Sequence, residues 1–341
     1  MRRIVVLGGR GFFGRKIVEL LRAAGAAPVI ASRSAGADVR LDVEDPASLR
    51  SALQTHDVVI DTVGPFQDRS TALVEAAIEI GFDLVDISDS LAYAAKIDRL
   101  RAAVEDRPIR VLTACSAMSA ISAAMIKLSG AEKPVRVTGF IAPATRYTAN
   151  SATAVSLLHS IGRPIQVWRE SRLVTEFGWR TRRTLELPPP LGRICGYLVE
   201  TVDSLTLPRL WPTLRTAEFY VDARLPGMNT AFSLAARVPA IRSLLERGRA
   251  VGLVLARRLG YRTGGLAYEI QTADKTFTRC TIAGERSYLI PIIPAVLAAR
   301  SIANECFAYQ GFVPPDRHVE LEQLVRFFDL HGITVTREEA S

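Results

Sequence analysis

The residues that most constrain this chain lie at its start, where Gly9-Arg10-Gly11-Phe12-Phe13-Gly14 spells G-x-G-x-x-G. Before it stands Arg3-Ile4-Val5-Val6-Leu7, a β-branched, apolar run typical of a strand buried on both faces of a parallel sheet. After it, Arg15 to Ala24 places Ile17, Leu20 and Leu21 on one helical face. A glycine turn between a buried strand and an amphipathic helix offers unpaired amides and the positive end of a helix dipole to a pyrophosphate. In that geometry Gly9 makes the tight turn, Gly11 lets the backbone approach the phosphates, and Gly14 lets the helix close on the strand. Phe12 and Phe13 complete the loop. The segment predicts a dinucleotide site.

Which dinucleotide is set by the tip of the second strand. Pro28-Val29-Ile30-Ala31 runs into Ser32-Arg33-Ser34, and no carboxylate follows before Asp38. Selection of NAD(H) calls for an acidic group here to accept from the ribose 2′-hydroxyl. A guanidinium flanked by two hydroxyls instead pairs with a 2′-phosphate. NADP(H) is therefore the expected cofactor and NAD(H) the less favoured one, with Arg10 reaching the same phosphate or lying over the adenine. Asp42 has two readings, an acceptor for the adenine amino group with Val43 packed on the ring, or a plain turn aspartate.

Further along, Asp45 caps a short helix with Pro46 in its first turn. Val58 to Val63 is another buried strand, Thr71 to Ile80 a helix, Leu84 to Ile87 a strand, Ala92 to Val104 a helix, and Arg110 to Leu112 a strand. This alternation predicts an α/β fold opening with a Rossmann-type parallel sheet. Val63-Gly64-Pro65-Phe66 and Asp86-Ile87-Ser88-Asp89 fall at the carboxyl edge of that sheet, where ligands bind in open α/β folds. The first group would wall the ribose and nicotinamide, and the second would face the reacting end of the cofactor.

Beyond about Ser116 the rhythm changes to strand-like runs at Val135 to Ile141, Gln166 to Arg169, Arg172 to Glu176, Ala217 to Val221, Ala267 to Thr272 and Thr276 to Ile282. They predict a second α+β domain on a mainly antiparallel sheet. The expected domains are residues 1–120 for the dinucleotide, 121–290 for substrate and dimerisation, and 291–341 as C-terminal helices packing back on the first.

Charge is uneven along the chain. Residues 126–290 hold 24 Lys/Arg against 12 Asp/Glu, whereas residues 1–125 hold 15 against 16. A basic middle segment favours an anionic partner or is simply a solvated surface. Neither zinc-finger spacing nor an RNP-like signature accompanies it, so nucleic acid is not an expected partner. Ala231 to Leu259 interleaves arginine with Leu and Val. It reads either as a domain-packing helix with a basic face or as a peripheral membrane contact. Four cysteines stand far apart, predicting reduced thiols and no metal knuckle. With no leader-like start, the expected location is the cytoplasm, with association at a membrane surface as the alternative.

The N-terminal segments stand in the order and spacing of the saccharopine dehydrogenase-like oxidoreductases, which this chain resembles. Gly9 to Gly14, Ser32-Arg33, Leu41-Asp42-Val43 with Asp45-Pro46, Val63 to Phe66 and Val85 to Asp89 carry the resemblance. It covers residues 1–125 well and the remainder more loosely. The resemblance implies a nicotinamide-binding domain, a second α+β domain that binds substrate and often dimerises, and hydride transfer to a C=N, C=O or activated C=C bond. Where relatives carry a glycine- and proline-bearing turn, this chain reads Ala114-Cys115-Ser116-Ala117-Met118-Ser119-Ala120, so the substrate does not carry over.

Acid–base candidates are Asp86, Ser88, Asp89, Tyr147 and His159. They form no sequence constellation, and a reductase needs none, because its cofactor brings the hydride. A non-catalytic NADP(H) sensor or scaffold is the alternative from another class. For an anionic substrate, small or lipid-linked, Arg146, Arg163, Arg180, Arg182 and Arg183 are the candidate anchors.

Overall fold

A computed structural model describes residues 1–274 and 276–340, with the side chains at 151–153, 156, 159 and 340 outside the description. The chain divides into two compact units, Met1–Ile121 with Pro291–Leu324, and Ser122–Ile290 with Val325–Ser341.

The first unit is built on β1 (Ile4–Leu7), β2 (Val29–Ser32), β3 (Val39–Arg40), β4 (Val58–Asp61), β5 (Asp83–Asp86) and β6 (Arg110–Leu112), joined late in the chain by Gly311–Phe312. Sheet order runs Gly311–Phe312, β6, β5, β4, β1, β2, β3, and every pairing is parallel. Residues of β1, β4 and β5 are fully buried, so β1 and most of β4 are apolar without alternation, and the aspartates of β4 and β5 need partners inside the protein. Strand order reverses direction between β1 and β4, so a crevice opens beyond their carboxyl ends. Val5, Leu7, Leu49, Val59, Leu84 and Val111 centre the core of this unit.

Three elements of this unit differ from the sequence reading. The helix expected over Ala92 to Val104 is two, Leu91–Asp98 and Arg101–Glu105. Between them the Leu100 N–H bonds the Ile97 carbonyl at 2.8 Å, and this tighter turn points Leu100 at the core. The two-residue strands Val39–Arg40 and Gly311–Phe312 are too short to leave a periodic signal.

The second unit carries a nine-stranded sheet. Its path is Arg182–Glu186, Arg193–Val199, Thr216–Val221, Pro134–Ala142, Gly264–Thr272, Phe277–Gly284 and Thr334–Ala340, with a side hairpin of Pro164–Arg169 and Arg172–Phe177. All pairings are antiparallel except that of Pro134–Ala142 with Thr216–Val221. Phe140, Ile165, Ile194, Leu198 and Tyr220 pack its core.

The tail expected to be helical over 291–341 supplies Ile293–Ala303 and Leu321–Leu330, and then turns to strand at Thr334–Ala340. That strand pairs from Ala283↔Thr334 to Phe277↔Ala340. Thr334, Val335 and Thr336 favour the pleated conformation, but the run Arg337-Glu338-Glu339 hides their alternation in the sequence. The arginine-rich segment Ala231 to Leu259 falls on three helices, Met228–Ala235, Pro239–Arg247 and Arg249–Leu259. Among the described residues no helix is long and apolar enough to cross a membrane.

His318 anchors the end of the late first-unit segment. Its ring is fully buried and its Nε2–H donates to the Val313 carbonyl at 3.1 Å, leaving Nδ1 without a partner among the described residues. A proton on Nδ1 would bury an unpaired charge, so burial pushes the imidazole down to about 4. A depressed imidazole contributes stability that is present above its unfolded value near 6.5 and is lost as pH falls toward 4. Urea unfolding at pH 7 and pH 4.5 should show the native chain losing roughly 2 to 3 kcal/mol more than His318→Gln over that interval.

Candidate functional site

The glycine turn is held by contacts that exclude side chains. Gly8 has φ of +71°, so the tight turn expected at Gly9 falls one residue earlier, on a residue that the G-x-G-x-x-G spacing does not count. Gly9 instead lies against β2, where a Cβ would stand 2.9 Å from Ile30 Cγ2. A Cβ on Gly14 would meet the Gly8 carbonyl oxygen inside its contact radius and stand 2.7 Å from the Gly9 Cα. Helix α1 (Phe12–Ala23) thus starts directly against the turn, and the Gly11 N–H bonds the Gly8 carbonyl at 2.8 Å. Gly11 caps α1 with no side-chain acceptor, and no acidic residue stands in the first turn. The amides and dipole at this end therefore have no acidic or side-chain partner within the helix start, the arrangement in which a helix N-terminus can take an anion.

At the tip of β2, Arg33 is three-quarters exposed and its Nη1 lies 3.9 Å from Asp42 Oδ2. Arg10 crosses from the glycine turn to donate to the Ala35 carbonyl, two residues beyond Arg33. Asp38, the nearest carboxylate after the strand, accepts the Ile30 N–H at 2.8 Å. Asp42 Oδ1 accepts the Glu44 N–H at 3.1 Å, the geometry of a turn aspartate, while Val43 is buried. Ser32 Oγ receives the Ser34 N–H at 3.2 Å, which folds the strand tip back beside Arg33.

Next to the glycine turn the end of β4 closes in. The Thr62 hydroxyl donates to the Leu7 carbonyl at 2.8 Å, and Val63 leads into Gly64, Pro65 and the buried Phe66. Sequence reasoning singled out this loop but missed what holds it. The Arg69 guanidinium, 6% exposed, donates to Glu44 Oε1 at 2.6 Å and to the Val63 carbonyl at 2.7 Å, and pairs with Asp61 Oδ2 at 3.0 Å. It also stands over the rings of Phe66 and Tyr93, at 5.7 and 6.0 Å. Asp61 was visible as the one carboxylate ending the apolar run Val58-Val59-Ile60, and such a residue requires a buried partner. The sequence could not say that the partner is eight positions on.

Burial pushes the Asp61 carboxyl up to about 6, against the pull of Arg69 and of the Val63 N–H. Asp86, fully buried at the end of β5, is also raised by burial, while hydroxyl and N–H groups of Ser88, Ala114 and Thr113 pull it back. Its Oδ1 accepts from the Ser88 and Ala114 amides, both at 2.9 Å. The Tyr93 hydroxyl is buried in the same environment with no hydrogen-bond partner among the described residues. Two carboxyls, a guanidinium and a phenol thus share one desolvated site behind the sheet edge.

Of the acid–base candidates, Asp86 and Ser88 are buried and Asp89 is exposed, all at the end of β5. Tyr147 belongs to the second unit, 39% exposed, with its ring 5.4 Å from that of Tyr288. His159 lies on the helix Ser151–Ser160 of that unit, and its side chain is outside the described residues. Among the described residues no group of three or more His, Cys, Asp or Glu has metal-holding geometry.

A parallel sheet reversing order at β1/β4, with a side-chain-free turn into an uncapped helix, defines a Rossmann-class dinucleotide-binding protein. Residues 4–117 match the family model of the saccharopine dehydrogenase NADP binding domain. The match spans the first unit's strands β1 to β6 and identifies that part of the chain as an NADP-binding domain of the saccharopine dehydrogenase type. No curated protein matches the sequence. The fold is similar to that of apo saccharopine dehydrogenase (L-Glu forming) from Saccharomyces cerevisiae, at 15% identity and TM-score 0.64, covering 100% of both chains. A weaker likeness links it to the WlbA dehydrogenase of Thermus thermophilus, at 10% identity and TM-score 0.42, covering 94% of this chain and 92% of that one.

Arg69→Met leaves Asp61 in the core without its cation. At pH 7.5 this should cost about 3 to 5 kcal/mol of unfolding free energy. A carboxyl raised above its unfolded value gives its full contribution below that value and loses it as pH rises through about 6, so neutral pH is where Arg69 matters most. Denaturant melts at pH 5 should therefore find the variant closer to the native chain than melts at pH 7.5.

Proposed function

We propose that this protein is an NADP(H)-dependent oxidoreductase whose substrate is an anionic molecule, small or lipid-linked, carrying a C=N, C=O or activated C=C bond. The observation that carries the reading is the uncapped start of α1 beside two arginines, with no carboxylate free at the tip of β2. When bound, NADPH supplies the hydride. Amides of the Gly9 to Gly14 turn hold its pyrophosphate, and Arg33, flanked by Ser32 and Ser34, neutralises the 2′-phosphate. Arg10, drawn to the same edge through the Ala35 carbonyl, adds a second positive charge. Arg69 fixes the Val63 to Phe66 loop from behind, so that this wall keeps one conformation as ligands come and go.

The basic second unit supports an anionic substrate. Among its candidate anchors, Arg183 is committed to Glu269 at 2.8 Å, and Arg180 lies 4.2 Å over Phe177. Arg146 and Arg182 remain exposed and are the anchors we favour.

Titration calorimetry with both nucleotides tests the cofactor half. The native chain should prefer NADPH, and Arg33→Ala should weaken NADPH by about tenfold or more while leaving NADH unchanged, as expected for loss of a charge-assisted hydrogen bond. Equal affinity for the two nucleotides before and after substitution would remove Arg33 from the account. NADPH oxidation across a panel of carboxylated imines, ketones and enoyl esters tests the chemistry. Tight binding without turnover on any of them would identify a cofactor-binding sensor instead.

A further inference from the structure

The segment 228–262 of the second unit exposes a coherent apolar face. Among the described residues, eight of the 13 exposed large hydrophobic residues lie between Leu234 and Tyr261, a clustering that scattered surface leucines do not produce. Helix Pro239–Arg247 has no buried residue, and helix Arg249–Leu259 buries only Ala256. On the latter helix the exposed positions Val251, Val254, Leu255 and Leu259 recur at three- and four-residue steps, the spacing of a single stripe. Leu244, 68% exposed, and Val238 extend the apolar surface onto the neighbouring helix and its entry. A domain-packing helix would turn that stripe inward. Here it faces out.

Charge decides what covers it. Residues 228–262 contain seven arginines and one acid, Glu246. Arg237 and Arg257 hydrogen-bond to backbone carbonyls, and among the described residues none of the seven forms an ion pair. Apposing a second copy through the same segment would bring like charges together, whereas an anionic surface would meet both the apolar stripe and its basic border. The helices are far too short to span a bilayer and suit a position in its interface, with apolar side chains below the headgroups and guanidinium groups among them.

We propose that residues 228–262 form a peripheral docking surface for bilayers containing anionic phospholipid. This inference stands on the second unit alone and does not depend on the cofactor reading.

Co-sedimentation of the full chain with phosphatidylglycerol-containing vesicles and with pure phosphatidylcholine vesicles tests it. Binding is expected to the first and not the second, and to fall steeply at about 0.5 M NaCl. The double variant R249Q/R258Q should lower the partition coefficient by about 30-fold, and L244D/V251D should abolish binding. Both pairs alter exposed side chains, so unchanged melting temperature and NADPH affinity verify that a loss is local. Failure to bind anionic vesicles at low salt overturns the proposal. So does sedimentation equilibrium showing a dimer that L244D/V251D dissociates, because a second copy would then be the occupant of this face.

Discussion

Everything in the first unit depends on how closely the start of α1 approaches the turn that follows β1. The van der Waals space between Gly14 and the Gly8–Gly9 backbone is less than a methyl group. Only at that separation do the first-turn amides of α1 and the carboxyl ends of β1 and β4 border the same crevice. Any side chain at Gly14 would push the helix outward and with it the positive end of its dipole. The absence of an acid or a side-chain cap at that end completes the condition, since either would satisfy the amides internally.

A second constraint stands behind the sheet edge, where Asp61 and Asp86 end two adjacent strands inside the protein. Desolvating two carboxylates so near one another is unfavourable, and the Arg69 guanidinium offsets it by joining Asp61, Glu44 and the Val63 carbonyl. The same contacts fix the loop that lines the crevice. Electrostatic compensation and positioning of the Val63 to Phe66 loop are therefore one arrangement, and substituting a residue for charge reasons also alters geometry.

The second unit obeys different rules. Its sheet is mostly antiparallel, and arginines on its strands, helices and loops together give the middle of the chain its positive charge. Some of these charges are internal to the unit, as with Arg169 between Glu176 and Glu218 and Arg183 on Glu269. Others are not, and those on 228–262 border an uncovered apolar stripe. Net charge alone made no distinction between the two groups.

The succession of β1, β2, β4, β5 and β6, the helices that follow β1 and β4 and the glycine turn were legible because buried parallel strands are short, largely apolar runs punctuated by glycine and proline. So was the basic tip of β2, since it is read from residues adjacent in sequence. The reach of Arg69 to Glu44, the positive φ at Gly8, the pairing of Thr334–Ala340 with Phe277–Gly284 and the outward stripe on Arg249–Leu259 were not. Local pattern and propensity determined the elements and the class of ligand, because they act between neighbours along the chain. Partners distant in sequence, and which face of an amphipathic helix meets solvent, were decided only when tertiary packing brought the elements together.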